Sequence, residues 1–271
     1  MDITLLGPLA AHERGACVVP TAGKPRQVLA LLALNADRMV TVSTLMEEIW
    51  GQAVPRSAAT TLQTYILQLR RLISAALAGD PSREAKDVLV TQHGGYLLRV
   101  RPGTVDTQEF GRLAAHGRAA FEAGDHADAA EVLRRALDLW RGPALVDVRA
   151  GSVLELEVLR MDEDRLAVQE LCIEANLRLG RHAELVPELR VLMARHPMHE
   201  SFCAQLMIAH YRSGSAWRSL EAYQRLRAGL VEELGLEPSA RLQRIQRAVL
   251  AGDPGLEALP AGLKSPSTHG F

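Results

Sequence analysis

The chain reads as mainly α: a winged helix-turn-helix of α+β character, then an all-α domain of tetratricopeptide-like helices. Three observations carry this reading. Residues 56–77 hold an apolar stripe at helical spacing, and no acidic residue occurs among them. Residues 88–100 hold two short β-prone runs around adjacent glycines. From Asp106 onward the hydrophobic period becomes helical and alanine-rich, with almost no strand signal. The segments divide as 1–102, 103–253 and 254–271, the last expected to be a disordered tail because Pro254, Pro260 and Pro266 stand among Gly, Ser and Ala.

Residues 3–6 and 17–19 have the pattern of short strands in a small leading sheet. Residues 24–34 predict an amphipathic helix, and Thr41 or Ser43 can cap a second one through Leu45, Ile49 and Trp50, stopped by Gly51. Pro55 bounds the third helix. In it Leu62, Ile66, Leu69 and Ile73 form one stripe, which Ala59 extends. At about 100° per residue the opposite face carries Ser57, Thr60, Thr61, Thr64, Gln68 and Arg71, with Arg70 and Gln63 on one flank and Tyr65 on the other. Hydroxyls and amides bond phosphate oxygens or base edges, and arginine neutralises phosphate or reads guanine. A solvated helix usually mixes in glutamate; its absence from Arg56 to Leu77 suits a helix facing a polyanion. The runs 88–91 and 96–100 then flank Gln92, His93, Gly94 and Gly95, where glycine supplies the positive φ of a tight turn.

Charge divides with the pattern. Residues 1–102 hold 11 Lys and Arg against 8 Asp and Glu, while 103–271 hold 20 against 24, within a chain of formal net charge −1. So small a positive excess predicts weak intrinsic affinity for DNA and help from dimerisation or a partner protein. Cys17, Cys172 and Cys203 are scattered without CxxC spacing, which fits a reducing cytosol. No charged leader precedes an apolar run, and no stretch approaches the roughly 20 apolar residues of a membrane span, so a soluble cytoplasmic protein is expected. No GxxxxGK[ST], no GxGxxG after a strand, no HExxH and no GxSxG occurs, leaving enzymatic function and a cofactor without positive support.

In the second segment GDHADAA at 124–130, LGRHA at 179–183 and SGSA at 213–216 are similar turn-then-helix openings. Gly180 and Gly214 lie 34 residues apart, the tetratricopeptide period, and Pro197 and Pro238 fall where helix pairs are expected to end. Gly124 and Gly180 are 56 apart, so the array is irregular, with a long helix over 152–179. Stacked pairs leave a groove for a protein segment, whereas a plain bundle would only dimerise the chain. His196, His199 and Cys203 could share a helix face, but Pro197 interrupts them and no fourth ligand is suitably spaced, so no metal is expected. Trp50, Trp140 and Trp217 sit in apolar helical patterns and are expected in the core.

The ordered segments ITLLGPL, KPRQVLALLALNADRMV, TLMEEIWG, TTLQTYILQLRRLI, GGYLLRV, VDTQEF, WRGPAL and EELGLEPS cover nearly the whole chain. Together they resemble the Streptomyces antibiotic regulatory protein family, an OmpR-type winged helix joined to a bacterial transcriptional activation domain. The resemblance implies an activator of secondary-metabolite genes that binds direct repeats near the −35 element and recruits RNA polymerase holoenzyme, including its sigma factor, as a homodimer on DNA. It implies phosphate contacts from Thr60, Thr61, Tyr65 and Arg70 and base contacts from Gln63, Thr64 and Gln68. Arg56, Ser57, Arg71, Gln92, His93 and Tyr96 complete the expected DNA surface. Where OmpR-type wings usually carry an arginine before the glycines, this chain has Gln92 and His93, which predicts a weaker minor-groove anchor. A repressor using the same surface and a tetratricopeptide interaction adaptor are the alternative readings.

Overall fold

Alternating inward residues set the first strands. β1 (Asp2–Thr4), β2 (Ala10–Glu13) and β3 (Ala16–Cys17) form an antiparallel sheet in that order, with Ile3 opposite Ala11 and His12 opposite Cys17. The computed structural model describes residues 1–78 and 82–256. The pattern predicts β1 and β3 but misses β2, because one of its two inward residues is Glu13, buried and ion-paired to Arg83 Nη1 at 3.3 Å.

α1 (Gly23–Leu34) is buried on every side from Gln27 to Ala33, so it is a core helix and not the amphipathic one expected. β4 (Met39–Thr41) leads into α2 (Val42–Trp50), where Thr41 Oγ1 accepts from Thr44 N at 3.1 Å and Gly51 ends the helix at φ 55°. α3 (Ala58–Ala76), α4 (Ala85–Val88), β5 (Leu89–Gln92) and β6 (Gly95–Leu98) follow. The second sheet has the order β4-β6-β5, which makes β6 central and β5 an outer strand. A helix-turn-helix of α2 and α3 with a β5–β6 wing results.

Met1–Gly117 together with Val132–Gln169 form the first compact unit, so the boundary expected at 102/103 falls inside it. The reason is a set of long-range polar bonds. Ile3 N donates to Thr104 O at 2.7 Å, and Asp106 Oδ1 and Oδ2 accept from Leu5 N and Leu6 N at 2.8 and 3.0 Å. Glu48, only 2% exposed, accepts from Gly151 N at 2.6 Å through Oε1 and from Leu154 N at 2.9 Å through Oε2. Burial pushes the Asp106 carboxyl above its ordinary range, while the Leu6 and Leu5 N–H groups and the Arg141 guanidinium pull against that.

The three helices α5 (Asp106–Glu122), α6 (His126–Asp138) and α7 (Ser152–Arg178) contribute residues to both units. The second unit, Arg118–Glu131 with the chain from Glu170 onward, continues with α8 (His182–Arg195), α9 (Glu200–Arg212), α10 (Ala216–Leu234) and α11 (Ala240–Ala251). Its core joins Cys203, Ala204 and Met207 of α9 to Tyr223, Leu226 and Leu230 of α10 and Leu242 of α11. Gly180 and Gly214 open successive pairs at φ 78° and 77°, as the 34-residue period predicts. Pro197 and Pro238, however, lie in the turn within each pair and not at its end. Pro254–Leu256, assigned from sequence to the tail, form a 3-10 turn with Leu256 buried; residues 257–271 lie outside the described ones.

Candidate nucleic-acid interface

The buried stripe of α3 is Ala58, Leu62, Ile66, Leu69, Ile73 and Ala76. Ala58, not Ala59, extends it toward the N-terminus, because a further step of four residues from Leu62 keeps the same face. The exposed residues are therefore Arg56, Ser57, Ala59, Thr60, Gln63, Thr64, Leu67, Arg71, Ser74 and Ala75, while Thr61, Tyr65, Gln68, Arg70 and Leu72 are half-buried. Among the described residues no side-chain cap from Ser57 closes α3, and Ala58 N donates instead to Pro55 O at 2.9 Å.

Two sequence expectations shift within this face. Gln63, expected on a flank, is exposed beside Thr64, whereas Gln68 is half-buried. Leu67, 49% exposed, stands among Gln63, Thr64 and Arg71 and was missed; an apolar residue on the outer side of an otherwise regular stripe was its only signal. Thr64 Oγ1 donates to Thr60 O at 3.1 Å, which holds the hydroxyl against the helix.

Tyr65 is steadied from below. Its ring stacks on Trp50 with centroids 6.4 Å apart, and Lys24 Nζ stands 5.3 Å from the Trp50 centroid, bringing one cation and two aromatic rings from α1, α2 and α3 together. Arg70 turns the other way: its Nε and Nη2 donate to Leu89 O at 3.0 and 2.7 Å, and Nη2 also to Thr91 Oγ1 at 2.8 Å.

Gln92 pairs with Gly95, so the wing turns on two residues, His93 and Gly94, and Gly94 supplies φ 81°. Gly95 is a glycine for another reason: a Cβ there would meet Val40 O at 2.4 Å, where β4 and β6 approach. Gln92 and His93 are exposed at the tip. Tyr96, expected on the DNA surface, is 8% exposed, because it lies on central strand β6 between Val40 and Thr91.

The remaining residues singled out from sequence take structural roles. His199 Nδ1 caps α9 by accepting from Phe202 N, its Nε2 lies 3.1 Å from Glu170 Oε1, and its ring stacks on Phe202. The Cys203 thiol donates to Ala222 O at 3.6 Å, and burial pushes its pKa up to about 12. Among the described residues no group of three or more His, Cys, Asp or Glu is placed to hold a metal ion. Trp140 is buried edge-on to Phe110, but Trp217 is 64% exposed, since Ser219, Tyr223, Leu226 and Leu230 define the opposite, buried side of α10. Among the described residues no helix is long and apolar enough to cross a membrane.

A helix-turn-helix with a wing, an acid-free outward helix and appended helix pairs together define a DNA-binding transcriptional regulator. Residues 18–98 match the family described as transcriptional regulatory protein, C terminal, and residues 105–250 match the bacterial transcriptional activator domain. The chain belongs to the Streptomyces antibiotic regulatory protein family. It is 56% identical to the regulatory protein DnrI of Streptomyces peucetius over 95% of this chain and 94% of that one. It is 35% identical to the transcriptional regulator RedD of Streptomyces coelicolor, over 98% of this chain and 75% of that one. Among solved structures, EmbR of Mycobacterium tuberculosis, in complex with a low-affinity phosphopeptide, superposes with a TM-score of 0.86 at 31% identity. That likeness covers 93% of this chain and 65% of the EmbR chain.

Proposed function

We propose that this regulator works in the cytoplasm as a transcriptional activator of secondary-metabolite genes. Two protomers bind direct repeats near the −35 element and recruit RNA polymerase holoenzyme through its sigma factor. The observation that carries this reading is the outward face of α3, free of carboxylates and polar apart from Leu67 and small alanines, set beside a two-residue wing turn. In the proposed docking α3 enters the major groove, with Gln63, Thr64 and Gln68 reading base edges and the Leu67 side chain meeting a thymine methyl. Arg56, Ser57, Thr60, Thr61, Tyr65 and Arg71 meet phosphates, and Gln92 and His93 approach the minor groove. The similarity to DnrI and RedD supports the target class.

Pairing follows from charge. Residues 1–102 carry 11 cationic against 8 acidic side chains, too small an excess for one winged domain to hold a promoter at physiological salt. Cooperative contact of about 1.4 kcal/mol, with a second protomer or with polymerase, raises occupancy about tenfold. Footprinting the full-length protein on the promoters beside its own gene, with and without polymerase, tests the proposal. Two protected tracts with centres about 10 to 10.5 bp apart are expected, extended when polymerase is added. Inserting about 5 bp between the tracts turns one site by half a turn and should abolish cooperativity, and about 10 bp should restore part of it. Unchanged binding and activation after the half-turn insertion would remove the paired-site model.

A further inference from the structure

We infer that Arg70 is a positioning residue that clasps the recognition helix to the wing, so that α3 and the β5–β6 hairpin meet DNA as one unit. Among the described residues β5 is an outer strand paired only with β6, and its register with β6 turns the Leu89 carbonyl away from that ladder. Arg70 supplies the missing donor twice, from Nε at 3.0 Å and Nη2 at 2.7 Å, and extends from the same Nη2 to Thr91 Oγ1 at 2.8 Å. Thr91 directly precedes Gln92, where the turn begins. One guanidinium thus ties the C-terminal half of α3 to the strand that ends in the wing tip.

Arginine suits this place for its shape more than for its charge. The planar fork keeps its donors in fixed relation, whereas a lysine ammonium is a single point on a flexible stem and cannot hold the same acceptors together. The tip itself offers Gln92 and His93 and no arginine, so its hold on a minor groove depends on being placed correctly and gains little from attraction to the groove's negative potential. A clasp that fixes the tip relative to α3 compensates for the missing cation, since less orientational freedom is then lost on binding. This inference rests on the proposal that α3 and the wing both touch DNA.

The test uses the full-length protein and a duplex that it selects from a random-sequence library. Affinity, its salt dependence and hydroxyl-radical protection of the minor groove are measured for the wild type, Arg70→Lys, Arg70→Gln and Thr91→Val. Arg70→Lys keeps the charge but loses the fork; it should lose the minor-groove protection and about tenfold in affinity, with the major-groove contacts and salt slope retained. Thr91→Val removes one acceptor without touching α3, and should weaken the same protection with about a threefold loss of affinity. If Arg70→Lys melts well below the wild type, Thr91→Val alone decides: unchanged minor-groove protection in it would overturn the clasp. So would wild-type affinity and protection in Arg70→Lys combined with a salt slope reduced by about one unit in Arg70→Gln, the signature of a phosphate contact. A wild-type protein that protects no minor groove at all would overturn the docking itself and the clasp with it.

Discussion

The two compact units are held together by different chemistry. In the first, carboxylates accept from backbone N–H groups about a hundred or more residues away: Asp106 from Leu5 and Leu6, Glu48 from Gly151 and Leu154, and Asp147 from Leu9. In the second, α9, α10 and α11 meet through apolar side chains such as Met207, Leu226 and Leu242 at helical spacing. Truncating an apolar side chain leaves a cavity that neighbours partly fill, whereas removing an acceptor as buried as Glu48 strands donors that have little water to turn to. The first unit should therefore be the less tolerant of small changes, and it is the unit that carries the proposed DNA surface.

The sharpest way to break this comparison is to cut the chain at residue 102. The fragment 1–102 loses Asp106, Asp147, Gly151 and Leu154 at one stroke, along with the Thr104 carbonyl that pairs with Ile3. It should show little cooperative melting by circular dichroism; a fragment that melts like the intact protein would show that the carboxylate bonds are dispensable. Next in size is Glu48→Ala, which leaves the buried Leu154 N–H and the half-buried Gly151 N–H without their acceptor and should cost about 3 to 5 kcal/mol in denaturant unfolding. Glu48→Gln, which keeps one acceptor oxygen, should cost less.

Leu226→Ala, in the second unit, should cost about 2 to 4 kcal/mol by opening a cavity between α9 and α10. Its effect on DNA affinity should be smaller than that of Glu48→Ala at equal temperature, and equal losses would argue against the contrast drawn here. The smallest effect belongs to pH. Burial, and after it the charges of Arg218 and Arg190, hold His210 below the ordinary 6.5, with Glu221 opposing them; burial and Arg212 do the same for His182. With folded values depressed, the unfolded chain binds more protons just below pH 6.5, so this contribution is complete above 6.5 and is lost as pH falls through the folded values. His210→Gln should flatten the fall in Tm between neutral and mildly acidic pH; an unaltered slope would remove His210 from the account.

The same contrast explains what the sequence made legible. Leu62, Ile66, Leu69 and Ile73 announce α3 because a buried helix face repeats, and Gly180 and Gly214 announce the helix pairs for the same reason. Glu48, Asp106 and Asp147 repeat nothing; each is a single carboxylate whose partner is set by the tertiary fold, so the bonds that cross the change of pattern near residue 103 leave no mark in it. Short strands fail similarly: β4 has three residues, and β2 turns a glutamate inward. In the interface Ser57, Thr60, Thr64 and Arg71 were legible as outward from the helical wheel and Gln63 and Leu67 were not, while the places of Arg70 and Tyr96 depend on β5 and β6, which no wheel contains.

The central claim is that the outward face of α3 reads bases, and the most direct test is selection of binding sites from a random DNA library by the full-length wild type, Gln63→Ala and Leu67→Ala. Each substitution should relax preference at one or two neighbouring base pairs, with discrimination there falling by about 1 to 3 kcal/mol and affinity for unrelated DNA little changed. A consensus identical in all three proteins would contradict the claim and move sequence recognition to another part of the molecule.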